Sequence, residues 1–228
     1  MTNISLMPLY SDQGLLQCKQ CPRLTNFLQT VKNQYPGYHA HPVLPFGNST
    51  SKLLIVGLAP GMHGANRTGR PFTGDYAGIL LYRTLHRFGF ATHAESIAAD
   101  DGLQLVGCRI TNAVKCLPPE NKPLPQEIKQ CNRYLSEEMK QFVQGGGIAV
   151  LALGRVAHHA ILMSLQLKTK DYAFAHGKVH HLQSRSGLRL YDSYHCSRYN
   201  TQTKRLTEEM FMQVFAQINA DIQVQPNP

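Results

Sequence analysis

The chain has 228 residues, 43% of them hydrophobic and 16% charged, which predicts one folded domain over residues 1–228 and excludes a disordered protein. Lysine and arginine exceed aspartate and glutamate by 23 to 14, giving a net charge of +9. This surplus favours a polyanionic partner, because neutralised phosphates release condensed counterions, although a merely soluble basic protein fits the charge equally well.

The predicted elements alternate between helix and strand along the chain. The first half contains an extended segment over 1–17, a tight loop Cys18–Arg23, a helix Leu24–Lys32, a connector Asn33–Ser51, a strand Lys52–Leu58, a glycine-rich loop Ala59–Gly78 and a helix Ile79–Phe88. The second half contains a strand Arg109–Val114, a loop Lys115–Pro125, a helix Gln126–Val143, a strand Ile148–Leu153, a helix Val156–Leu165, a hairpin of Val179–Leu182 and Leu188–Tyr194 with its turn at Ser184–Gly187, and a closing helix Thr203–Ala220.

This alternation predicts an α/β sandwich in which helices cover a mostly parallel central sheet. In open sheets of this kind, ligands bind beyond the carboxyl ends of the strands. The loops that follow Leu58, Val114 and Tyr194 are therefore the places where functional residues are expected.

Four cysteines form a candidate metal site. No stretch approaches the roughly 20 apolar residues of a membrane-spanning helix, and residues 1–12 lack the pattern of a secretory signal. We therefore expect a cytoplasmic protein with reduced thiols, in which clustered cysteines indicate metal binding. Cys18 and Cys21 form a C-x-x-C motif, and with Cys116 and Cys131 they could bind one zinc ion or one [4Fe–4S] cluster; four unrelated buried thiols are the alternative. Cys108 begins a strand and is predicted to lie in the core.

The glycine-rich loop after the first strand has a single acidic residue, Asp75, close to the aromatic Phe72. It matches neither the P-loop nor the dinucleotide-binding glycine pattern. An aromatic ring can stack on a base, and a carboxylate can orient or deprotonate water. The more common role of an aspartate at this position is to cap the helix that begins near Tyr76.

The loop after the hairpin carries His195, which can donate a hydrogen bond to a developing anion. Residues that suit phosphate contacts follow it, namely Ser197, Arg198, Asn200 and Lys204. Asn112, at the end of the second strand, can read a base edge with its amide or cap a turn. Two histidine pairs have no third metal ligand nearby in the sequence and are predicted to be surface or packing residues: His158/His159 and His180/His181.

Together these motifs resemble the uracil-DNA glycosylase superfamily, and within it the iron–sulfur family 5, also called type B. The segments that carry the resemblance are CKQCP from Cys18, GLAPGMHGANRTGRPFTGDYAG over Gly57–Gly78, TNAVKCLPPENKPLP over Thr111–Pro125, and HCSRYNTQTKRLT over His195–Thr207. They cover most of the chain from Cys18 onward in the family's order, and the second segment is long and highly specific.

The resemblance implies a three-layer sandwich with a four-stranded parallel sheet and a monofunctional DNA-repair glycosylase that releases uracil and other deaminated bases, leaving an abasic site. It implies that Phe72 stacks on the flipped base, that His195 faces its carbonyl oxygen so that the base lies between these two rings, and that Asp75 handles the water. The [4Fe–4S] ligands that it implies are Cys18, Cys21, Cys116 and Cys131. The pocket residues that it implies are Gly57, Leu58, Ala59, Pro60 and Gly61, with Asn112 beside them.

Three positions depart from the superfamily's pattern. Ala59 stands where many relatives carry a polar or acidic residue, so Asp75 is the nearest carboxylate for the water. Cys196 replaces a proline, which is expected to loosen the loop that carries His195. Asn112 stands where family 5 often has a small residue, and its amide is expected to narrow the base preference. A nucleic-acid-binding or redox-sensing iron–sulfur protein without glycosylase activity is the alternative, and in either case we expect a monomer associated with a bacterial or archaeal nucleoid.

Overall fold

The computed structural model describes residues 12–182 and 187–223. The elements in chain order are α1 (Asp12–Leu16), α2 (Pro22–Gln34), β1 (Phe46–Gly47), β2 (Leu53–Gly57), α3 (Ala65–Thr68), α4 (Tyr76–Arg87), β3 (Cys108–Asn112), α5 (Pro125–Gln144), β4 (Ala149–Leu153), α6 (Arg155–Ser164), β5 (Val179–His181), β6 (Arg189–Ser193), α7 (Arg198–Gln202) and α8 (Glu208–Gln223). Single 3-10 turns lie at Pro119–Asn121 and Thr169–Asp171.

The strands form one sheet in the order β1-β3-β2-β4-β6-β5. The four inner strands, β3, β2, β4 and β6, are parallel to one another, which confirms the predicted parallel sheet. The two outer strands, β1 and β5, run antiparallel and extend the sheet to six strands. β1 lies in the segment predicted to be a connector, because two residues are too few for an alternating pattern to show.

The sheet is covered on both faces, as a three-layer sandwich requires. Leu53 and Ile55 of β2 point into a core shared with α4 and α8. Leu54 and Val56 point the opposite way, into a core shared with α5 and α6. Because parallel strands of this kind are buried on both faces, they have continuous apolar sequences, and every residue of β2 and β4 is buried.

Some predicted boundaries were wrong. Residues 12–16 form α1 instead of an extended segment, while residues 1–11 lie outside the described part of the chain. The closing helix begins at Glu208 instead of Thr203, because Ser197 caps a separate short helix, α7, before it. The hairpin pairing of β5 with β6 is confirmed, and its predicted turn at Ser184–Gly187 falls largely outside the described residues. Within the described ranges no helix has the length and apolarity needed to cross a membrane.

Candidate active site

A cavity of about 720 Å³ opens at the carboxyl ends of the parallel strands, within the usual range of about 300–1,000 Å³ for ligand pockets. It brings together nine residues predicted from the sequence, namely Leu58, Ala59, Gly61, Phe72, Asp75, Asn112, His195, Ser197 and Arg198. Four predicted residues do not line it: Gly57, Pro60, Asn200 and Lys204. Of these, Lys204 lines a neighbouring groove that shares Tyr76 with the cavity.

Nine further residues line the cavity without having been predicted individually: Met62, His63, Gly64, Ala65, Tyr76, Ala77, Asn121, Leu153 and Val156. Six of them fall inside the glycine-rich loop, which was predicted as a whole. The position of Leu153 at the end of β4 follows the rule that ligands bind beyond strand ends. Asn121 lies in a 3-10 turn with a positive φ of 56°, and nothing in its local sequence indicates that it reaches the cavity.

Phe72 and Asn112 are packed against each other across Gly57. A Cβ on Gly57 would lie 2.4 Å from Asn112 Oδ1 and 2.6 Å from Phe72 Cζ, so only glycine leaves both side chains in place. Phe72 itself has φ +54°, a conformation that bulky residues adopt rarely and at a cost of order 1–3 kcal/mol. Asn112 Oδ1 is buried without a hydrogen-bond partner among the described residues. An unmatched acceptor of this kind favours a polar ligand group at the site.

Asp75 both caps a helix and lines the cavity. It is the N-cap of α4, where Oδ1 accepts a hydrogen bond of 2.9 Å from the N–H of Gly78. It also lines the cavity. Burial raises the pKa of Asp75 above its ordinary value, while the N–H groups of Gly78 and Ala77 lower it in part. A carboxylate with a raised pKa is suited to accept a proton from water near neutral pH.

His195 stands beside Phe72 on the cavity wall, with ring centroids 5.9 Å apart and the planes 29° apart. A base stacked between the two rings would need about 7 Å, twice the usual contact distance. A base can therefore stack on only one of the two rings, and the expected arrangement, with Phe72 against the base and His195 facing a carbonyl oxygen, stays a prediction. Burial lowers the pKa of His195 to about 4, so the imidazole is neutral at neutral pH.

The loop that carries His195 is held by local hydrogen bonds. The Asn200 side-chain amide donates to the His195 carbonyl oxygen at 2.8 Å. The Ser197 side chain accepts from the N–H of Asn200 and caps α7. Cys196 is fully buried in the core, where burial raises the pKa of its thiol. These contacts hold the backbone around His195, and the looser loop expected from Cys196 stays a prediction.

The four predicted cysteines converge, although the two halves of the set are far apart in the sequence. Cys18, Cys21, Cys116 and Cys131 line one small cavity, and the described residues that line it with them include no histidine or carboxylate. Burial raises the pKa of Cys131 to about 11 and raises the pKa of Cys116 still further, so these thiols require a positive partner to ionise. The N–H of Lys115 donates to Cys131 Sγ at 3.3 Å. An all-thiol donor set of this kind is compatible with an iron–sulfur cluster.

The histidine pairs are split by the fold. His159 and His181 are exposed, whereas His158 and His180 are buried. Their sequence neighbours supply no third metal ligand, but the fold brings Asp192 into contact with both His158 and His180. The sequence separation hid this contact, because Asp192 lies 34 residues from His158.

The fold is that of an α/β protein. Its pocket, at the carboxyl ends of the strands, contains a carboxylate and a neutral imidazole beside an aromatic ring. Residues 44–221 match the sequence profile of the uracil DNA glycosylase superfamily. The chain is 44% identical to the Type-5 uracil-DNA glycosylase of Thermus thermophilus, covering 89% of this chain and 92% of that protein. It is 40% identical to the Type-5 uracil-DNA glycosylase of Pyrobaculum aerophilum, covering 91% and 90%. A Type-4 uracil-DNA glycosylase from Archaeoglobus fulgidus is 28% identical over 74% of this chain.

The chain belongs to the uracil-DNA glycosylase superfamily, and within it to type 5.

Proposed function

We propose that this protein hydrolyses the N-glycosidic bond between uracil and deoxyribose in DNA, leaving an abasic site. The observation that carries the proposal is that Asp75, Phe72 and His195 line one cavity at the carboxyl edge of the sheet. The relatives named Type-5 uracil-DNA glycosylase support it. The basic net charge of +9 supports a DNA substrate.

The base is recognised by stacking and by one amide. Because a base inside a duplex is not accessible, it must first be extruded, at a cost of a few kcal/mol. The extruded base stacks on Phe72, and the edge that carries its carbonyl oxygen faces His195. The Asn112 amide offers a donor and an unmatched acceptor, which complement the O4 and N3–H of uracil. Cytosine presents the opposite pattern at these two positions, so the amide favours uracil.

Cleavage separates charge along the glycosidic bond. The bond between C1′ and N1 breaks with its electron pair going to the base, while the sugar gains oxocarbenium character. The neutral His195 ring donates a hydrogen bond to the base carbonyl oxygen and stabilises the leaving anion. Asp75 holds the water below the sugar and stabilises the positive charge on the sugar. As the water oxygen bonds to C1′, Asp75 takes a proton from the water.

The DNA backbone is held near α7. Arg198 lines the cavity and lies over the Tyr76 ring at 5.6 Å, and we assign phosphate contacts to Ser197, Arg198 and Lys204. Tyr199 is 70% exposed beside the cavity mouth, where its ring can fill the space that the flipped base leaves. Asn200 also donates to the His195 carbonyl oxygen, and its phosphate contact stays a prediction.

The four cysteines hold a [4Fe–4S] cluster in this proposal, and its contribution is structural. The cysteines belong to a packed group that includes Leu15 of α1 and Leu24 of α2, and Ala59 of the pocket loop contacts the same group. The site therefore joins the N-terminal helices to the pocket. We further propose that residues 1–228 act as one domain and as a monomer.

An abasic-site assay tests the proposal. The protein is incubated with duplexes that contain uracil, hypoxanthine or a G·T mismatch, and alkali then cleaves the abasic sites. We expect cleavage on uracil, its loss in Asp75→Asn, and no loss in Asp171→Asn, an exposed aspartate outside the cavity. Binding of uracil-containing DNA without cleavage would instead support the binding-module alternative, and a reversible redox couple without base release would support the redox-sensing alternative.

A further inference from the structure

A second polar cluster lies outside the cavity, near the carboxyl end of β6. His158 of α6, His180 of β5 and Asp192 of β6 are 0%, 5% and 0% exposed. His158 Nδ1 lies 2.7 Å from Asp192 Oδ1, and His180 Nε2 lies 3.0 Å from Asp192 Oδ2. Three titratable groups with so little exposure must satisfy one another, because water does not reach them.

Counting donors and acceptors places one extra proton in this cluster. His158 Nε2 lies 2.8 Å from the carbonyl oxygen of Tyr172, which only accepts. The Nδ1 of the same ring faces a carboxylate oxygen, which also only accepts when ionised. With Asp192 ionised, both nitrogens of His158 carry protons. The ring is an imidazolium that forms a buried ion pair with Asp192, and His180 completes the cluster as a neutral donor.

The carboxylate also fixes a loop that approaches the base of the active site. Asp192 Oδ2 accepts a hydrogen bond of 3.3 Å from the N–H of Ala175. The Asp192 carbonyl oxygen accepts one of 2.8 Å from the N–H of Gly177. The residue between them, His176, is thereby held against β6.

Two routes lead from this cluster to His195. On one side, His176 Nδ1 accepts from the N–H of Tyr194 at 3.1 Å, and the two rings stack with centroids 5.0 Å apart. On the other side, the cluster holds His158 in the first turn of α6, where the backbone N–H of His158 donates to the Gly154 carbonyl oxygen at 3.1 Å. A Cβ on Gly154 would lie 3.5 Å from the Cβ of His195, so this turn packs directly against the side chain.

We propose that His158 and Asp192 are positioning residues for His195, acting as a buried imidazolium–carboxylate pair that fixes the two backbone segments around its loop. The proposal rests on the proposed function for its effect on catalysis. The charge on His158 stands independently of that function, because it follows from the hydrogen-bond partners.

Nuclear magnetic resonance of the whole protein labelled with ¹⁵N-histidine tests the charge state directly. At pH 7.5 we expect both ring nitrogens of His158 to be protonated, whereas His180 carries one proton. A His158 ring with a bare Nδ1 overturns the proposal. So does one equivalent of zinc bound in addition to the iron, because three ligand atoms within 4.8 Å could also serve a metal ion.

Kinetics test the positioning role. His195 stabilises the leaving anion, so misplacing it should slow the release of uracil more than that of 5-fluorouracil, whose anion is a better leaving group. For Asp192→Asn we expect a single-turnover rate about tenfold lower on uracil and about threefold lower on 5-fluorouracil, with KM for DNA unchanged. His195→Ala should likewise slow the release of uracil more than that of 5-fluorouracil. Adding Asp192→Asn to His195→Ala should not increase this difference between the two substrates further.

Asp221→Asn is the matched control. Asp221 lies on α8 and accepts a hydrogen bond from Tyr191, which precedes Asp192 on β6. It should alter stability without altering the ratio of the two rates. An unchanged ratio in Asp192→Asn overturns the positioning role. If Asp192→Asn does not fold, His158→Gln is measured in the same way. If the wild-type protein releases no base, the proposed function fails, and the His195 ring resonances in Asp192→Asn then show whether the cluster positions that residue.

Discussion

Replacing Asp75 with asparagine separates its two roles. Asparagine caps a helix about as well as aspartate does, so the bond to Gly78 survives, whereas alanine loses it and costs about 1 kcal/mol. For a chain of this size, that loss lowers Tm by about 2–4 °C. Only the asparagine variant therefore removes the charge without removing the cap.

The raised pKa of Asp75 determines how its charge changes the stability of the protein with pH. Burial raises the pKa of Asp75 in the folded protein above its ordinary value of 3.8. The folded state therefore binds a proton more tightly than the unfolded chain does, and Asp75 makes the protein less stable as the pH rises between these two pKa values. At pH 7.5 Asp75→Asn should be as stable as the wild type or more stable, and this advantage should disappear below a pH of about 4.

Activity should change far more than stability. Loss of the group that positions and deprotonates water should lower the single-turnover rate on uracil-containing duplex by about 10²–10⁴, with DNA affinity unchanged in a filter-binding assay. Calorimetry at pH 7.5 and pH 4 provides the matching stability measurements, with Asp75→Ala as the variant that loses both functions. Full turnover by Asp75→Asn would refute the catalytic role, and a fall in Tm as large as that of Asp75→Ala would refute the cap argument.

Three other perturbations have defined outcomes. Gly57→Ala should destabilise the protein by about 1–3 kcal/mol and raise KM for DNA, because the new methyl group displaces Phe72 and Asn112; denaturant unfolding and steady-state kinetics measure both. Because burial lowers the pKa of His195 to about 4, the rate of uracil release should show no inflection from this ring between about pH 6 and 8, and an inflection near 6.5 would contradict the neutral imidazole. Cys116→Ala should abolish the visible absorbance of the cluster and lower Tm, as followed by spectroscopy and calorimetry on the same preparation.

The inner sheet and most helices could be predicted because their residues carry the information locally. The apolar run that became β2 is buried on both faces, and a two-sided burial pattern is visible in the sequence itself. The helix over 198–202 was predicted as part of the loop after the hairpin, because its five mostly polar residues bury no side chain and show no apolar periodicity. The edge strand at Phe46–Gly47 is defined by its partner β3, which lies far away in the sequence.

The same distinction between local and long-range information applies to the site residues. Asp75 and His195 could be proposed because motif spacing and family resemblance mark them. The cluster around Asp192 could not, because its members have ordinary neighbours and meet only through the antiparallel pairing of β5 with β6 and the packing of α6. Contacts that depend on strand pairing and helix packing carry no local signature, even when they join buried titratable groups.

The double role of Asp75 follows from the same geometry. A side chain that caps a helix has one oxygen fixed by a backbone N–H, so the direction of its other oxygen is fixed as well. Asp75 Oδ2 lies beneath the pocket loop, where a Cβ on Gly64 would come within 2.2 Å of it and a Cβ on Gly61 within 3.3 Å. The cap therefore orients the carboxylate, and the glycines leave room for it. An aspartate held in this way needs no reorganisation when it meets the water, which is the condition for effective electrostatic catalysis.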